Sequence, residues 1–224
     1  SRGIRVYSYP AWLAWMSARM RSYGVAGTHG KTTATGCVDW MLRHTDIPCM
    51  ALYGSHVQGE KRSFRGTGDE VGIFEACEYR DHFLSYDLQG LLITTIEHDH
   101  PDWFSDEAQV FESFKRLVLR LPDGAPVVCG IDSIASRRLA AWITSACPSV
   151  HLITYGTAGE SMFRLTEHVA DSSGSSFRLT PWGGTYHSRF ASVPLCLDVV
   201  GAALLGSALI NRWEQRDDSA KALS

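Results

Sequence analysis

The hydrophobic residues of this chain fall into short apolar runs that alternate with stretches of helical composition. The pattern predicts a strand that ends at residues 24–26, and further strands at 47–52, 71–75, 90–95, 126–129 and 150–154. It also predicts helices at 11–21, 32–42, 107–121 and 133–146, with Ser105 as the expected N-cap of the third. Strands that alternate with helices indicate an α/β fold, in which a mostly parallel sheet is flanked by helices.

After residue 155 the pattern changes to short alternating segments at 163–169, 176–180 and 185–191, with turn residues between them. Such segments predict a small antiparallel β element, which we assign to residues 156–192. A last helix is expected at 198–213, and the polar tail 214–224 is expected to fray. No apolar run approaches the roughly 20 residues of a membrane span, so no membrane partner is expected.

The composition is that of an ordinary globular protein. Hydrophobic residues make up 45% of the 224 residues, and the formal net charge is −3. This balance gives no electrostatic reason to expect nucleic acid as a partner. The six cysteines include no pair at C-x-x-C spacing and no Cys/His cluster typical of zinc. They therefore favour buried thiols in a reducing cytoplasm.

The strongest chemical signal lies between the first strand and the helix at 32–42. The residues are Gly27, Thr28, His29, Gly30, Lys31, Thr32 and Thr33, and all seven are candidates for binding ATP. Glycines allow a tight turn whose N–H groups meet phosphate oxygens, and the N-terminus of the following helix adds positive potential. Lys31 can reach the β- and γ-phosphates, and the Thr32 hydroxyl can bind Mg²⁺. Val25 stands where the usual Walker A spacing has glycine, so a plain glycine-rich turn is the alternative.

Three strings in this order resemble the Mur ligases. The first is AGTHGKTT at 26–33, which is similar to the phosphate loop of that family. The second, FEACEYRDHF at 74–83, resembles the family's acidic motif, and the third, IEHDHPDWF at 96–104, resembles its N-I-x-x-D-H segment. The opening residues 2–6 are similar to the family's linker out of an N-terminal domain.

The resemblance implies a central ATP-binding domain at 24–213. It implies that residues 1–23 are a linker from a missing N-terminal domain. It also implies that residues 214–224 are a tail and that the C-terminal domain of the family is missing. ATP and Mg²⁺ are the implied cofactors. Thr32 and Glu75 would bind one Mg²⁺, His100 would belong to a second metal site, and catalysis would depend on Lys31, Glu75 and His100.

Several of these residues have an alternative interpretation. A glutamate at a strand end, such as Glu75, is often only solvated, and His100 could belong to an ordinary polar loop. Glu78, Arg80 and His82 could face the substrate or form an ion-pair cluster on the surface.

The activity implied by the resemblance is an ATP-dependent, ADP-forming ligation in bacterial peptidoglycan synthesis. It would join L-alanine to UDP-N-acetylmuramate through an acyl phosphate, with both substrates bound partly by the flanking domains. Phosphoryl transfer depends mostly on positioning and charge neutralisation, which suits these residue types. One alternative is a murein peptide ligase, which adds a tripeptide to the same acceptor and shares His29. The other is a nucleotide-binding module without catalysis.

Two departures from the family pattern bear on nucleotide binding. Thr95 stands where the family usually has asparagine. Before the last helix the family commonly has Gly-x-His-Asn and then a second asparagine, near the adenine. Leu195, Leu197, Asp198 and Gly201 occupy these positions. Asp198 could still accept a hydrogen bond from the adenine amino group, but affinity and base selectivity should differ.

Overall fold

The computed structural model describes residues 5–55 and 63–222, with side chains up to residue 215, and its framework is one ten-stranded sheet. The helices are α1 (Tyr9–Ser17), α2 (Lys31–Leu42), α3 (Glu107–Val118), α4 (Ile134–Ala146) and α5 (Val193–Ala222), with a 3₁₀ helix at Tyr79–Ser85. The strands are β1 (Arg21–Ala26), β2 (Cys49–Leu52), β3 (Phe64–Gly66), β4 (Val71–Glu75), β5 (Gly90–Ile93), β6 (Pro126–Gly130), β7 (His151–Gly156), β8 (Phe163–Asp171), β9 (Gly174–Thr180) and β10 (Thr185–Ser188).

The strand order is β10-β9-β8-β7-β6-β5-β1-β4-β2-β3. Neighbours from β2 to β8 across the middle of the sheet are parallel, while β3, β9 and β10 pair antiparallel at the two edges. The predicted α/β fold with a mostly parallel sheet is therefore confirmed. Antiparallel strands do follow residue 156, but β8 starts parallel to β7. They extend the main sheet and do not form a separate one.

Both faces of the sheet are covered by apolar layers. Side chains alternate between the faces along a strand, so Leu91 and Leu92 of β5 lie in different layers. One layer contains Phe114 of α3, and the other contains Leu205 of α5. Burial on both faces explains why the central strands are continuous apolar runs in the sequence.

The first helix begins and ends at different residues from those predicted, whereas the third begins as predicted at Glu107 and ends earlier, at Val118. Ser8 caps α1 by accepting a hydrogen bond from the N–H of Ala11, and the helix ends at Ser17. Arg21, predicted to be helical, opens β1 opposite Val71. The cap of α3 is Asp106, whose carboxylate accepts from the N–H of Gln109 at 2.9 Å. The prediction of Ser105 as N-cap was therefore wrong by one residue.

The last helix is longer than predicted in both directions. It starts at Val193 and continues to Ala222, so the tail 214–222 is helical. Its stretch Val193–Gln215 is long and apolar enough to cross a membrane by length and composition, and the most apolar 18 residues within it have a mean hydropathy of 2.1. The expectation that no run reaches this length was thus wrong. Half of those 18 residues are buried, and α5 packs on α2 and on β5 and β6, as the core helix of a globular domain does.

A buried carboxylate joins α2 to the β2–β3 edge of the sheet. Asp39 is fully buried and accepts hydrogen bonds from the Tyr53 hydroxyl at 2.6 Å, from the Arg43 Nη2 at 2.7 Å and from the Arg65 Nε at 2.7 Å. Burial alone would raise the pKa of Asp39, but the hydrogen bonds from Arg65, Tyr53 and Arg43 outweigh it and lower the pKa.

Replacing Asp39 by asparagine should lower the free energy of unfolding at neutral pH by about 3–5 kcal/mol, because the arginines lose a buried partner. Because the pKa of Asp39 is lower in the folded than in the unfolded chain, its contribution is present above the unfolded pKa and is lost as the pH falls through the folded pKa. In urea unfolding, the difference between the variant and wild type should be largest at pH 7 and should shrink as the pH is lowered below the unfolded pKa of Asp39. The exposed Asp69→Asn serves as the control, and an equal effect of both variants would contradict this account.

Candidate functional site

The phosphate loop joins β1 to α2 at the carboxyl ends of the parallel strands. Gly30 has φ 81° and stands at the N-cap of α2, where no described side chain caps the helix. The first N–H groups of α2 are thus open to an anion. Gly27 has φ 132°, and a Cβ there would lie 2.1 Å from the Thr94 Oγ1. Both positions therefore require glycine.

Residues 94–97 after β5 fix the loop. The N–H of Thr28 donates to the carbonyl of Thr95 at 2.8 Å, and the N–H of Glu97 donates to the Thr28 Oγ1 at 2.9 Å. The Thr94 hydroxyl donates to the carbonyl of His29. Because Thr95 holds the loop with its backbone, this contact does not depend on an asparagine side chain. His29 itself points outward, with 68% of its side chain exposed and Glu97 3.6 Å away.

The Lys31 side chain folds back over the loop. Its ammonium donates to the carbonyls of Gly27 at 2.5 Å and Thr28 at 3.2 Å, and to the Glu78 Oε1 at 3.1 Å. Only 13% of the Lys31 side chain and 1% of the Glu78 side chain are exposed. The ammonium is thus confined to the floor of the loop, where a phosphate chain would pass.

Glu75, the last residue of β4, reaches the same floor. Its Oε2 accepts from the Thr32 hydroxyl at 2.9 Å and from the N–H of Gly54 at 2.7 Å. The pairing of β1 with β4 aligns Val25 with Glu75 and so sets this approach. A hydroxyl and a carboxylate in contact are oxygen donors of the kind that Mg²⁺ prefers.

A second group of potential ligands lies beside Lys31. The Nε2 of His100 is 3.6 Å from the Glu78 Oε1 and 3.8 Å from the Asp99 Oδ2. The ligand atoms of Glu78, Asp99 and His100 all lie within 4.8 Å of one another. The Glu78 Oε2 is buried and accepts no hydrogen bond from any described residue, although the Lys31 ammonium is 3.1 Å from it. A buried oxygen with free lone pairs fits a divalent cation.

The predicted metal ligands lie in two groups. Thr32 and Glu75 are in contact, whereas His100 lies with Glu78. Sequence reasoning left Glu78 undecided between a substrate contact and a surface ion pair; burial excludes the surface ion pair. Arg80, in contrast, is exposed and lies over the Tyr79 ring. The sequence signals for Glu78 are its place in the acidic motif at 74–83 and its position three residues after Glu75.

A cavity of about 630 Å³ opens on the other side of the loop. Its walls come from the loop, from the ends of β5, β6 and β7, and from the start of α5; they include Gly30, Thr94, Ile131, Asp132, Tyr155, Leu195, Leu197 and Asp198. The apolar walls and few polar groups are typical of a small-molecule site.

Two residues of this region stand at the positions where the family pattern has asparagines. Asp198 is 8% exposed, and burial raises its pKa to about 6. At Gly201 a Cβ would lie 2.6 Å from the Tyr155 hydroxyl oxygen, so the tyrosine ring fills the space of the absent side chain. Thr95 and Asp198, one from each of the two departures noted in the sequence, both line this cavity.

Comparison with known proteins agrees with this geometry. The sequence model of the Mur ligase middle domain matches residues 25–195. A UDP-N-acetylmuramate–L-alanine ligase of Treponema pallidum (strain Nichols) is 29% identical over 212 residues, which is 94% of this chain and 44% of that protein. The chain thus spans less than half the length of this relative.

Solved structures show the same fold. The UDP-N-acetylmuramate–alanine ligase of Thermotoga maritima superposes with a TM-score of 0.72 at 16% identity, covering 90% of this chain and 44% of that one. The UDP-N-acetylmuramate:L-alanyl-γ-D-glutamyl-meso-diaminopimelate ligase of Neisseria meningitidis gives 0.70 at 22% identity, covering 90% and 66%. Because the middle-domain model runs from residue 25 to residue 195, over most of the sequence, this chain belongs to the Mur ligase family.

Proposed function

We propose that this chain is the ATP-binding middle domain of an ADP-forming ligase of peptidoglycan synthesis, with domain bounds of about 24–213. The observation that carries the proposal is a pair of contacts at one edge of the sheet. Lys31 contacts Glu78, and Thr32 contacts Glu75. ATP is the phosphoryl donor of the Mur ligases. A loop that offers free N–H groups, an ammonium and carboxylates at one point is suited to a triphosphate with its metal.

In this proposal the residues of the loop bind and orient the triphosphate. The N–H groups at the start of α2 and the Lys31 ammonium would neutralise phosphate oxygens. Lys31 would then donate to these oxygens in place of the loop carbonyls that it contacts in this structure. Thr32 with Glu75, and Glu78 with Asp99 and His100, are the two sets of residues that would hold Mg²⁺. Bound Mg²⁺ supplies positive charge to the β- and γ-phosphates. The γ-phosphoryl group would pass to a substrate carboxylate and leave ADP, and an amine would then displace inorganic phosphate from the acyl phosphate and lose a proton.

The base and ribose would lie in the 630 Å³ cavity on the other side of the loop. The side chains of Ile131, Leu195 and Leu197 would enclose the base, and the Asp198 carboxylate lies where the cavity meets the loop. This division puts the phosphates at the helix N-terminus and the base against the start of α5.

The acceptor we propose is UDP-N-acetylmuramate, and the incoming group is L-alanine. Support comes from the Treponema relative, which bears that name and matches 94% of this chain. The second candidate is addition of a tripeptide to the same acceptor, because the Neisseria structure of that activity is also similar. The six cysteines are all free thiols, which agrees with a reducing bacterial cytoplasm as the place of action.

We expect Glu75→Gln to abolish the Mg²⁺-dependent part of ATP binding while leaving the melting temperature near that of wild type. Loss of a carboxylate that contacts the cation should cost at least about tenfold in affinity, since opposite charges about 4 Å apart attract by about 4 kcal/mol near a protein surface. Calorimetric titration with ATP in Mg²⁺ and in EDTA measures the effect. Glu70→Gln, at the other end of β4, is the control. Unchanged Mg²⁺ dependence in Glu75→Gln would exclude the proposed role.

We also expect the 224-residue chain alone to release no ADP when ATP, UDP-N-acetylmuramate and L-alanine are supplied. Holding the acceptor carboxylate in line with the γ-phosphate is worth orders of magnitude in rate, and we assign that task to flanking domains. A gene product with domains on both sides should release ADP in a coupled assay, and replacing L-alanine by the tripeptide identifies the second candidate. Turnover by this chain alone would contradict the domain assignment, and silence of the longer protein would favour a module without catalysis.

A further inference from the structure

Asp198 differs from the other carboxylates packed inside the protein. Asp39 accepts hydrogen bonds from three side chains, and Glu78 accepts one from the Lys31 ammonium at 3.1 Å. Within residues 5–55 and 63–215, no group donates a hydrogen bond to Asp198 or forms an ion pair with it. More than nine-tenths of the residue is nevertheless buried, and it lines the cavity.

The carboxylate of Asp198 lies against the phosphate loop. A Cβ on Gly30 would be 2.2 Å from the Asp198 Oδ1, so the carboxylate touches the N-cap of α2. It therefore stands at the positive end of this helix, where an anion is favoured. The nucleotide's phosphates would occupy the same end.

The groups that face Asp198 do not offset its charge. Cys37 of α2 and Tyr155 of β7 are neutral. Burial raises the pKa of the Cys37 thiol and of the Tyr155 phenol, and the negative charge of Asp198 raises both further. The other titratable groups that line the cavity are His29, Glu97 and Asp132. His29 is exposed and lies beside Glu97.

We infer that Asp198 competes with the nucleotide's phosphates for the N-terminus of α2, so that nucleotide binds with uptake of a proton by the Asp198 carboxylate. The inference rests on the proposed nucleotide site. Two anions in a region sheltered from water repel each other. One proton from solvent on the carboxylate removes the repulsion and converts the acceptor into an O–H donor.

The direction of the pH dependence follows from burial, which raises the pKa of Asp198 to about 6 in the free protein. A bound nucleotide raises it further. Affinity should therefore be highest below pH 6, and it should fall as the pH rises above 6 until the complex also loses the proton.

The experiment compares wild type with Asp198→Asn by calorimetric titration with ADP and Mg²⁺ at pH 5.5 and pH 8. At pH 8 the variant should bind about tenfold more tightly, which corresponds to a rise of about one unit in the pKa of Asp198 on binding. At pH 5.5 the two affinities should agree within about twofold. At pH 6.5, titrations in buffers of different ionisation enthalpy should show that wild type takes up about half a proton more than the variant.

The variants also distinguish an effect of the Asp198 charge on ADP affinity from an effect on folding. Asp198→Ser should give the same gain at pH 8, and both variants should melt at a higher temperature than wild type at that pH, because a buried charge is gone. Asp46→Asn, a change beyond the other end of α2, should bind like wild type.

Three outcomes would overturn the inference. One is that wild type binds ADP at pH 8 and both Asp198→Asn and Asp198→Ser bind it no more tightly than wild type. That result would contradict the role of Asp198 but not the proposed nucleotide site. Another is an equal gain in Asp46→Asn, which would indicate a general charge effect. The third is no binding of ADP by any folded variant at either pH, which would overturn the nucleotide site as well.

Discussion

The candidate site depends on the close contact between the backbone of the phosphate loop and residues 94–97. There is no space for a side chain at Gly27, and the N–H of Thr28 is bonded to the carbonyl of Thr95. β1 and β5 are parallel neighbours, so their register brings the loop and this segment to the same edge. Once the loop is fixed there, Lys31 and Thr32 can only extend toward the end of β4.

Three buried carboxylates in the described part of the chain serve different ends. Asp39 is fully hydrogen-bonded and joins secondary-structure elements, so it stabilises the fold. Glu78 is paired with Lys31, whose ammonium lies 3.1 Å from each of its carboxylate oxygens, and its Oε2 accepts no hydrogen bond from a described residue. Asp198 is buried without a hydrogen-bond donor among the described residues. Unsatisfied buried groups cost stability, and these two lie around the loop, where a ligand would satisfy them.

The sequence was sufficient for the fold class and for the position of the loop, because apolar strands and a glycine-rich turn are local signals. It was not sufficient for the roles of Glu78 and Asp198, because their burial depends on residues distant in sequence. The start of α5 at Val193 was missed since Pro194 suits a first helical turn, a possibility that the prediction did not use. Strand β3 was missed because it is three residues long and largely exposed.

The contact between Tyr155 and Gly201 limits which residues can replace either of them in evolution. The tyrosine hydroxyl lies where any larger residue at 201 would place its Cβ, and Leu92 lies 2.9 Å from the same point. A side chain larger than that of glycine at position 201 is therefore tolerated only if residue 155 is smaller than tyrosine. Conversely, a smaller residue at 155 leaves a cavity unless a larger residue at 201 fills it. The two positions must evolve together, and homologues of this chain should carry a large residue at one of them but not at both.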